Sequence, residues 1–274
     1  RSLSETLFAS GKTVRGLVRN LDPNQSISGI DYVSIGDIGS EVDLIDKLNG
    51  YDCIIHCAGK AHDMNEKKLD IFRLANVEGT RRIAEQAANA GVKRLIFLSS
   101  IKVNGESTDK NAKYKIFTKD DMLDPQDNYS ISKLEAEKVL WEISSRTGLE
   151  VVVVRLPLVY GYGVKGNLSR LMKLIKTGCP LPFSLIKNKR SLIGIDNLTD
   201  VLIRCIEHPS VKGKTLFVSD SEDLSTPDLL KKIASAMQVS LRIFPVPIFL
   251  LTLIGFVVGR KKEIPSVEVG YLRD

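Results

Sequence analysis

The amino-acid sequence predicts an α/β protein: a doubly wound parallel sheet with a small second lobe interleaved among its last elements. Three observations predict it. Short, continuous apolar runs at residues 52–58 (DCIIHCA), 93–100 (KRLIFLSS) and 150–156 (EVVVVRL) read as strands covered on both faces. Segments with helical apolar spacing stand between them, and right-handed crossovers then place helices on both sides of one sheet. After Pro157 the alternation loosens into a stretch rich in Gly, Lys and Pro.

Each element has a local reason. Residues 3–10 read as the end of a helix, with Leu3, Leu7 and Phe8 on one face and Gly11 as its stop. Residues 12–19 (KTVRGLVR) form a strand. Ser40 is expected to cap a helix carrying Leu44, Ile45 and Leu48. The 52–58 strand ends in Gly59, and residues 76–90 are helical, stopped by Gly91. Asp127 or Asn128 starts a helix that runs to about Arg146. Residues 197–207 read as helix and 214–219 as strand. Thr226 followed by Pro227 reads as a cap and first helical position before Leu229, Leu230, Ile233 and Met237. The sheet domain is assigned to 1–157 and 196–220, and the lobe to 158–195 and 221–274.

Composition bounds the function. With 274 residues, 43% hydrophobic and 26% charged, the chain can bury a core large enough to hold an active site. The net charge of +6 is spread along the chain, and its densest cluster, Lys187, Lys189 and Arg190, is short. That argues against nucleic-acid binding and suits an anionic substrate such as a diphosphate. Cys53, Cys57, Cys179 and Cys205 show no CxxC spacing and read as reduced core residues of a cytosolic protein. His56, His62 and His208 form no ligand pattern, so no metal is expected. The apolar stretch 244–258 is broken by Pro245 and Pro247 and is shorter than the roughly 20 residues that span a bilayer. Arg260, Lys261 and Lys262 follow it. It reads as a buried helix of the second lobe rather than as a membrane contact.

The chemistry gathers around YSISK. Tyr129 and Lys133 stand one helical turn apart, on one face. An ammonium beside a phenol favours the phenolate, so the tyrosine can exchange a proton with an alcohol. Taken alone the spacing is weak, and a surface tyrosine lying on a lysine stem reads equally well. Ser99 and Ser100 end an apolar strand upstream, where ligands of parallel sheets bind and where a hydroxyl can orient a reacting oxygen. A strand running into VRLPLVYG follows downstream.

Taken in series, strand–HCAG, helix–NVEGT, strand–FLSS, helix–YSISK and strand–VRLPLVYG resemble an extended short-chain dehydrogenase/reductase. They are most similar to the UDP-glucose 4-epimerase-like branch of the NAD-dependent epimerase/dehydratase family. The resemblance covers nearly the whole chain and implies a Rossmann sheet with a substrate-binding lobe. It implies Ser100, Tyr129 and Lys133 as the catalytic triad, with Ser100 also on the substrate and Lys133 on the nicotinamide ribose. Asp37 and Ile38 are implied at the adenine, and Ala58, Gly59 and Lys60 along the phosphates and ribose. Asn76 is implied near the site, Leu156, Pro157 and Val159 at the nicotinamide, and Asn167 and Arg190 on the nucleotide diphosphate of a sugar.

The departures shape the expectations. A first strand and a glycine-rich turn are expected ahead of Arg1, because that turn brings backbone to a pyrophosphate. Asn104 stands where the family often has Tyr. Arg19 and Asn20 end the second strand, where NAD enzymes usually carry an acid, so NAD and NADP both remain open. The expected activity is 4-epimerisation of a UDP-hexose or UDP-N-acetylhexosamine through a transient 4-keto sugar. An NADP-dependent 4-keto reductase is the alternative and a non-enzymatic cofactor-sensing module the third reading. No Asp-Glu pair follows Ser100, which argues against a dehydratase. A cytoplasmic homodimer is what the resemblance implies.

Overall fold

A computed structural model describes residues 1–22, 26–60, 68–106, 117–118, 121–164 and 166–251. The chain divides into two compact units. The first comprises Arg1–Asn104, Leu123–Leu156 and Ile195–Val218; the second comprises Gly105–Met122, Pro157–Gly194 and Ser219–Asp274.

The first unit is a parallel α/β structure. Helix α1 (Ser2–Ala9) leads into β1 (Arg15–Val18), which pairs in parallel with β2 (Asp31–Ser34). Short helix α2 (Ile45–Leu48) precedes β3 (Cys53–His56). Helix α3 (Leu69–Arg73) passes through a π-helical turn, Leu74–Glu78, into α4 (Gly79–Asn89). Strand β4 (Arg94–Ser100), helix α5 (Asn128–Thr147) and strand β5 (Glu150–Leu156) form its centre. Helix α7 (Ile195–Glu207) and strand β8 (Thr215–Phe217) complete it. The second unit holds β6 (Leu158–Tyr160), α6 (Asn167–Lys176), β7 (Leu192–Gly194) and α8 (Thr226–Ala236).

The core lies where the apolar runs are continuous. Leu95, Ile96 and Phe97 of β4 and Val151 to Val154 of β5 are completely buried. Leu95, Phe97, Val151 and Val153 form one cluster with Leu140 and Ile143 of α5 and Ala84 and Ala87 of α4. Each such large side chain contributes about 1.5–3 kcal/mol on leaving water. Helix α5 starts in a capping box, in which Asp127 accepts from the Ser130 amide and Ser130 reaches back to the Asp127 amide. It ends at Gly148, whose left-handed φ of 80° suits a residue without Cβ.

The sheet of the first unit comes in two pieces. Strands β3-β4-β5-β8 form one parallel ladder and β1-β2 another. Strand β1 therefore has one open edge, and so does β3. Both line a cavity of about 1710 Å³. It runs from Lys12, Tyr51, Lys93 and Glu150 at the strand starts to Asp37, Ala58 and Gly59 beyond the strand ends. Leu17, Val18, Cys53, Ile54 and Ile55 are only half-buried along it, unlike the sealed strands β4 and β5.

Several boundaries differ from the sequence reading. Ser40 does not cap a helix; its amide bonds Asp37 O in a turn, and the helix waits until Ile45. The Leu44 amide there is satisfied by the Gln86 side chain. The cap of α8 is Ser225, one residue before Thr226, and its hydroxyl accepts from the Asp228 amide. Helix α6 lies inside the stretch where the rhythm was lost. Within 244–251 the apolar segment is not buried as expected: Ile248 is 56% and Phe249 69% exposed, although Leu251 is buried. The rest of that segment, Arg260 to Lys262 and His62 lie outside the described residues. Of the cysteines, Cys205 is buried, whereas Cys57 and Cys179 are exposed and do not fit the expected core placement. No described helix is long and apolar enough to cross a membrane, and no group of three His, Cys, Asp or Glu among the described residues could hold a metal ion.

Candidate active site

Helix α5 delivers Tyr129 in its first turn and Lys133 in its second. Lys102 holds the entry from outside, its Nζ donating to the capping carboxylate of Asp127 at 2.8 Å. Strand β4 ends at Ser100, whose Oγ accepts from the Lys102 amide at 3.3 Å. The Ser100 hydroxyl is hydrogen-bonded to the Tyr129 phenol. Lys133 is buried, donates to Leu98 O at 2.8 Å and sits 4.3 Å from the centre of the Phe97 ring. The structure thus brings Ser100, Tyr129 and Lys133 together at the carboxyl end of β4.

The electrostatics differ from the simplest expectation. Burial pushes the Lys133 ammonium down to about 8, and nearby Cys57 and Glu137 oppose that fall. Tyr129 is raised, not lowered: burial dominates, the Asp127 charge adds to it, and the Ser100 hydrogen bond works against it. Lys133 does not offset this, because its ammonium is turned to Leu98 O and Phe97. His56 is pushed down to about 3 by burial and by Lys133, so it is a neutral partner of the Thr80 hydroxyl at 2.9 Å.

Asn76 anchors the loop after β3. Its Oδ1 accepts from Lys60 N at 2.6 Å, and its Nδ2 donates to Lys60 O at 3.0 Å and to Ser132 Oγ at 2.9 Å. The π-helical turn carries this side chain; such turns often mark functional positions. A Cβ on Gly59 would stand 3.1 Å from Asn76 Oδ1 and 3.3 Å from Lys133 Nζ. A side chain here would require the Asn76 amide or the Lys133 ammonium to give by a few tenths of an ångström. Gly79 in NVEGT has a similar reason: a Cβ there would lie 3.1 Å from both Ile38 Cγ1 and Ile38 O.

Arg19, Asn20, Asp37, Ile38, Ala58, Gly59 and Lys60 all line the long cavity. Asn76, Tyr129, Lys133 and Leu156 do not, although Asn76 and Lys133 reach Gly59. Arg19 is ion-paired with Asp37. Asp37 Oδ1 also accepts from Gly39 N at 2.9 Å, which shapes the turn beside it. The cavity's volume exceeds the roughly 300–1,000 Å³ of ordinary small-molecule sites.

Pro157, Val159, Asn167 and Arg190 belong to the second unit. Asn167 opens α6 behind Gly166 and is exposed. Arg190 is half-buried beside its backbone partner Leu224. Burial alone draws its guanidinium down; no carboxylate contributes. A desolvated arginine of this kind is suited to an incoming anion. Sequence reasoning missed Ser132, Glu137 and Arg155. The signal was present: Ser132 and Glu137 flank Lys133 on α5, and Arg155 interrupts an all-valine strand.

Scaffold and comparisons together define a class: an enzyme of the extended short-chain dehydrogenase/reductase type that works with a nicotinamide cofactor. The model of the NAD dependent epimerase/dehydratase family matches residues 1–218, and the chain belongs to that family. It is 41% identical over 230 residues to a UDP-glucose 4-epimerase of Vibrio cholerae, covering 82% of this chain and 69% of the relative. It is 25% identical over 264 residues to an N-acetyl-alpha-D-glucosaminyl-diphospho-ditrans,octacis-undecaprenol 4-epimerase of Escherichia coli O157:H7, covering 92% and 77%. In fold it is similar to the UDP-N-acetylglucosamine 4-epimerase from Bacillus cereus, with TM-score 0.77 and 18% identity over 99% of this chain and 85% of that one.

Proposed function

We propose that the protein is a nucleotide-sugar 4-epimerase acting on a UDP-hexose or UDP-N-acetylhexosamine. The Ser100–Tyr129 hydrogen bond above a buried Lys133 carries the reading, and the Vibrio cholerae relative supports its direction. Ser100 orients the sugar hydroxyl and Tyr129 takes and returns its proton. Lys133, whose ammonium is turned to Leu98 O here, holds the nicotinamide ribose and stabilises the phenolate once it turns toward Tyr129. Arg190 and Asn167 bind the diphosphate, the guanidinium as a planar fork. A bound nicotinamide would supply the hydride acceptor for the sugar carbon and the donor for return to the opposite face of the keto sugar. Asp37 and Ile38 hold its adenine end, the Ala58–Lys60 loop its middle, and Leu156, Pro157 and Val159 the ring.

NAD is the favoured cofactor. Arg19 is already ion-paired with Asp37, so a 2′-phosphate would have to displace a carboxylate. The test supplies UDP-glucose, UDP-N-acetylglucosamine and a 4-keto UDP-sugar with NAD, NADH, NADP and NADPH. An undecaprenyl-diphosphate N-acetylhexosamine completes the panel, because the E. coli relative acts on one. Isomerised product by NMR with no net change in nicotinamide absorbance is expected. Consumption of NADPH by the keto sugar alone would replace the epimerase by a reductase. No turnover on any of them would end the enzymatic reading. A cytoplasmic homodimer is the accompanying proposal, supported by the family resemblance.

The open edges of β1 and β3 support a second proposal. The cavity between them seats one more parallel strand and the glycine-rich turn expected ahead of Arg1. The test compares the chain from Arg1 with one extended by an apolar strand and a GxxGxxG turn. The extended chain should melt higher and retain NAD. Equal melting and equal cofactor affinity would show the cavity to be a ligand cleft alone.

A further inference from the structure

One polar cluster in the first unit has no part in the chemistry above. Ser99, Asn104, Glu137 and Arg155 are all buried. Arg155 donates to the Glu137 carboxylate through Nη2 at 2.6 Å and Nε at 3.1 Å. Ser99 Oγ donates to the same carboxylate. Arg155 Nη1 donates to Asn104 Oδ1 at 2.9 Å, and the guanidinium lies 5.7 Å from the centre of the Phe217 ring. The cluster therefore ties β4, the turn after it, α5, β5 and β8.

Stability is a poor reason for such a pair. Desolvating both ions cancels most of their attraction, and apolar replacements of equal volume are often neutral. Position is a better reason. Glu137 stands one turn beyond Lys133 and two beyond Tyr129, on the same face of α5. Ser99 immediately precedes Ser100, and Arg155 is its registered neighbour across β4 and β5. Each reacting side chain is thus a single helical turn or peptide bond from the cluster, or two turns for Tyr129. Apolar packing tolerates small slides of a helix, whereas a two-point guanidinium–carboxylate fork has one geometry.

We propose that Glu137 and Arg155 are positioning residues for the acid–base centre: their ion pair sets the register of α5 against β4 and β5, and with it the reach between Tyr129 and Ser100. The inference rests on the acid–base reading of Ser100, Tyr129 and Lys133. A second effect follows from charge. The groups around the Lys133 ammonium are His56 and Cys57 from β3 and its end, Leu98 O and the Phe97 ring from β4, and Tyr129 and Glu137 from α5. Burial keeps His56 neutral. Glu137 is the carboxyl side chain among them, and it helps Lys133 keep its proton.

The test uses three variants. Glu137→Gln keeps the shape but loses the charge and one of the two acceptor oxygens. It should lower kcat about 10- to 100-fold with KM little changed, and move the alkaline limb of kcat/KM down by about 0.5–1 pH unit. Arg155→Lys should lose kcat in the same way, because an ammonium cannot form the fork. Glu137→Met combined with Arg155→Leu should melt within a few degrees of the parent and still turn over slowly. NMR titration of lysine side chains needs no substrate: the Lys133 midpoint should fall in Glu137→Gln. Parent-like kcat and an unmoved Lys133 midpoint in Glu137→Gln overturn the inference, as does full turnover by the folded Met/Leu double variant. If the parent itself turns over no nucleotide sugar, the proposed function fails, and the Lys133 midpoint still decides the role of Glu137.

Discussion

Replacing Asn76 by Ala should damage stability and cofactor retention together. The amide makes three hydrogen bonds, to Lys60 N, Lys60 O and Ser132 Oγ, from a position 1% exposed. Each is worth about 1 kcal/mol net, and stranding the partners in the interior adds to the loss. A total near 3 kcal/mol follows, which corresponds to a fall in Tm of about 6–12 °C for a domain of this size. The same bonds fix the loop of Gly59 and Lys60, so its backbone loses its place along the cleft. Differential scanning fluorimetry and calorimetric titration with NAD measure the two effects. Asn76→Asp separates them further: one carboxylate oxygen can still accept from Lys60 N, but nothing donates to Lys60 O or Ser132. A variant Asn76→Ala that melts within 2 °C of the parent and binds NAD equally well would refute the anchoring role.

Tyr129→Phe should reduce turnover at least about 10²-fold while leaving NAD affinity nearly intact, as checked by product NMR and cofactor titration. Arg190→Ala should raise the KM for a UDP-sugar about 10- to 100-fold, since it removes a charge-assisted fork; steady-state kinetics decide it. His56 is held neutral down to about pH 3, against 6.5 in an unfolded chain, so the unfolded state binds the extra proton between those values. Stability from this group is complete above about pH 6.5 and declines as pH falls, by up to about 5 kcal/mol at pH 3. Urea denaturation from pH 4 to 7 should therefore show a shallower slope in His56→Gln. Gly79→Ala should destabilise by about 1–3 kcal/mol, because the new methyl meets Ile38 backbone and side chain; a chemical melt measures it.

The parts of the fold read correctly from sequence are those where burial is one-dimensional. The runs LIFLSS and EVVVVRL are sealed on both faces, and their composition says so without any knowledge of neighbours. The start of α5 was legible for a similar reason, since Asp127 and Ser130 complete a local cap. Ser40 and Thr226 were misread because capping potential is common, while the actual start depends on a distant group or on the adjacent serine. The placement of Ser100, Tyr129 and Lys133 followed from strand end and helix face. The direction of the Tyr129 shift did not, because it depends on where one ammonium turns once Leu98 O is within reach. Glu137 and Arg155 were invisible for a related reason: charged residues in apolar segments reveal a partner only after two elements are packed.

The division of the parallel ladder has a consequence for dynamics. Four registered residue pairs join β1 to β2, and among the described residues no third strand pairs with them. A two-stranded ribbon of that size is marginal by itself, so its amides should exchange with solvent through local opening, while those of β4 and β5 await global unfolding. Arg19 and Asp37 follow these two strands. The Arg19–Asp37 end of the cleft thus rides on the softest piece of the sheet, and the loop held by Asn76 follows β3, which is paired into the four-stranded ladder. Anything that binds across both would be read out as slowed exchange in β1 and β2, with the order it imposes deducted from its affinity.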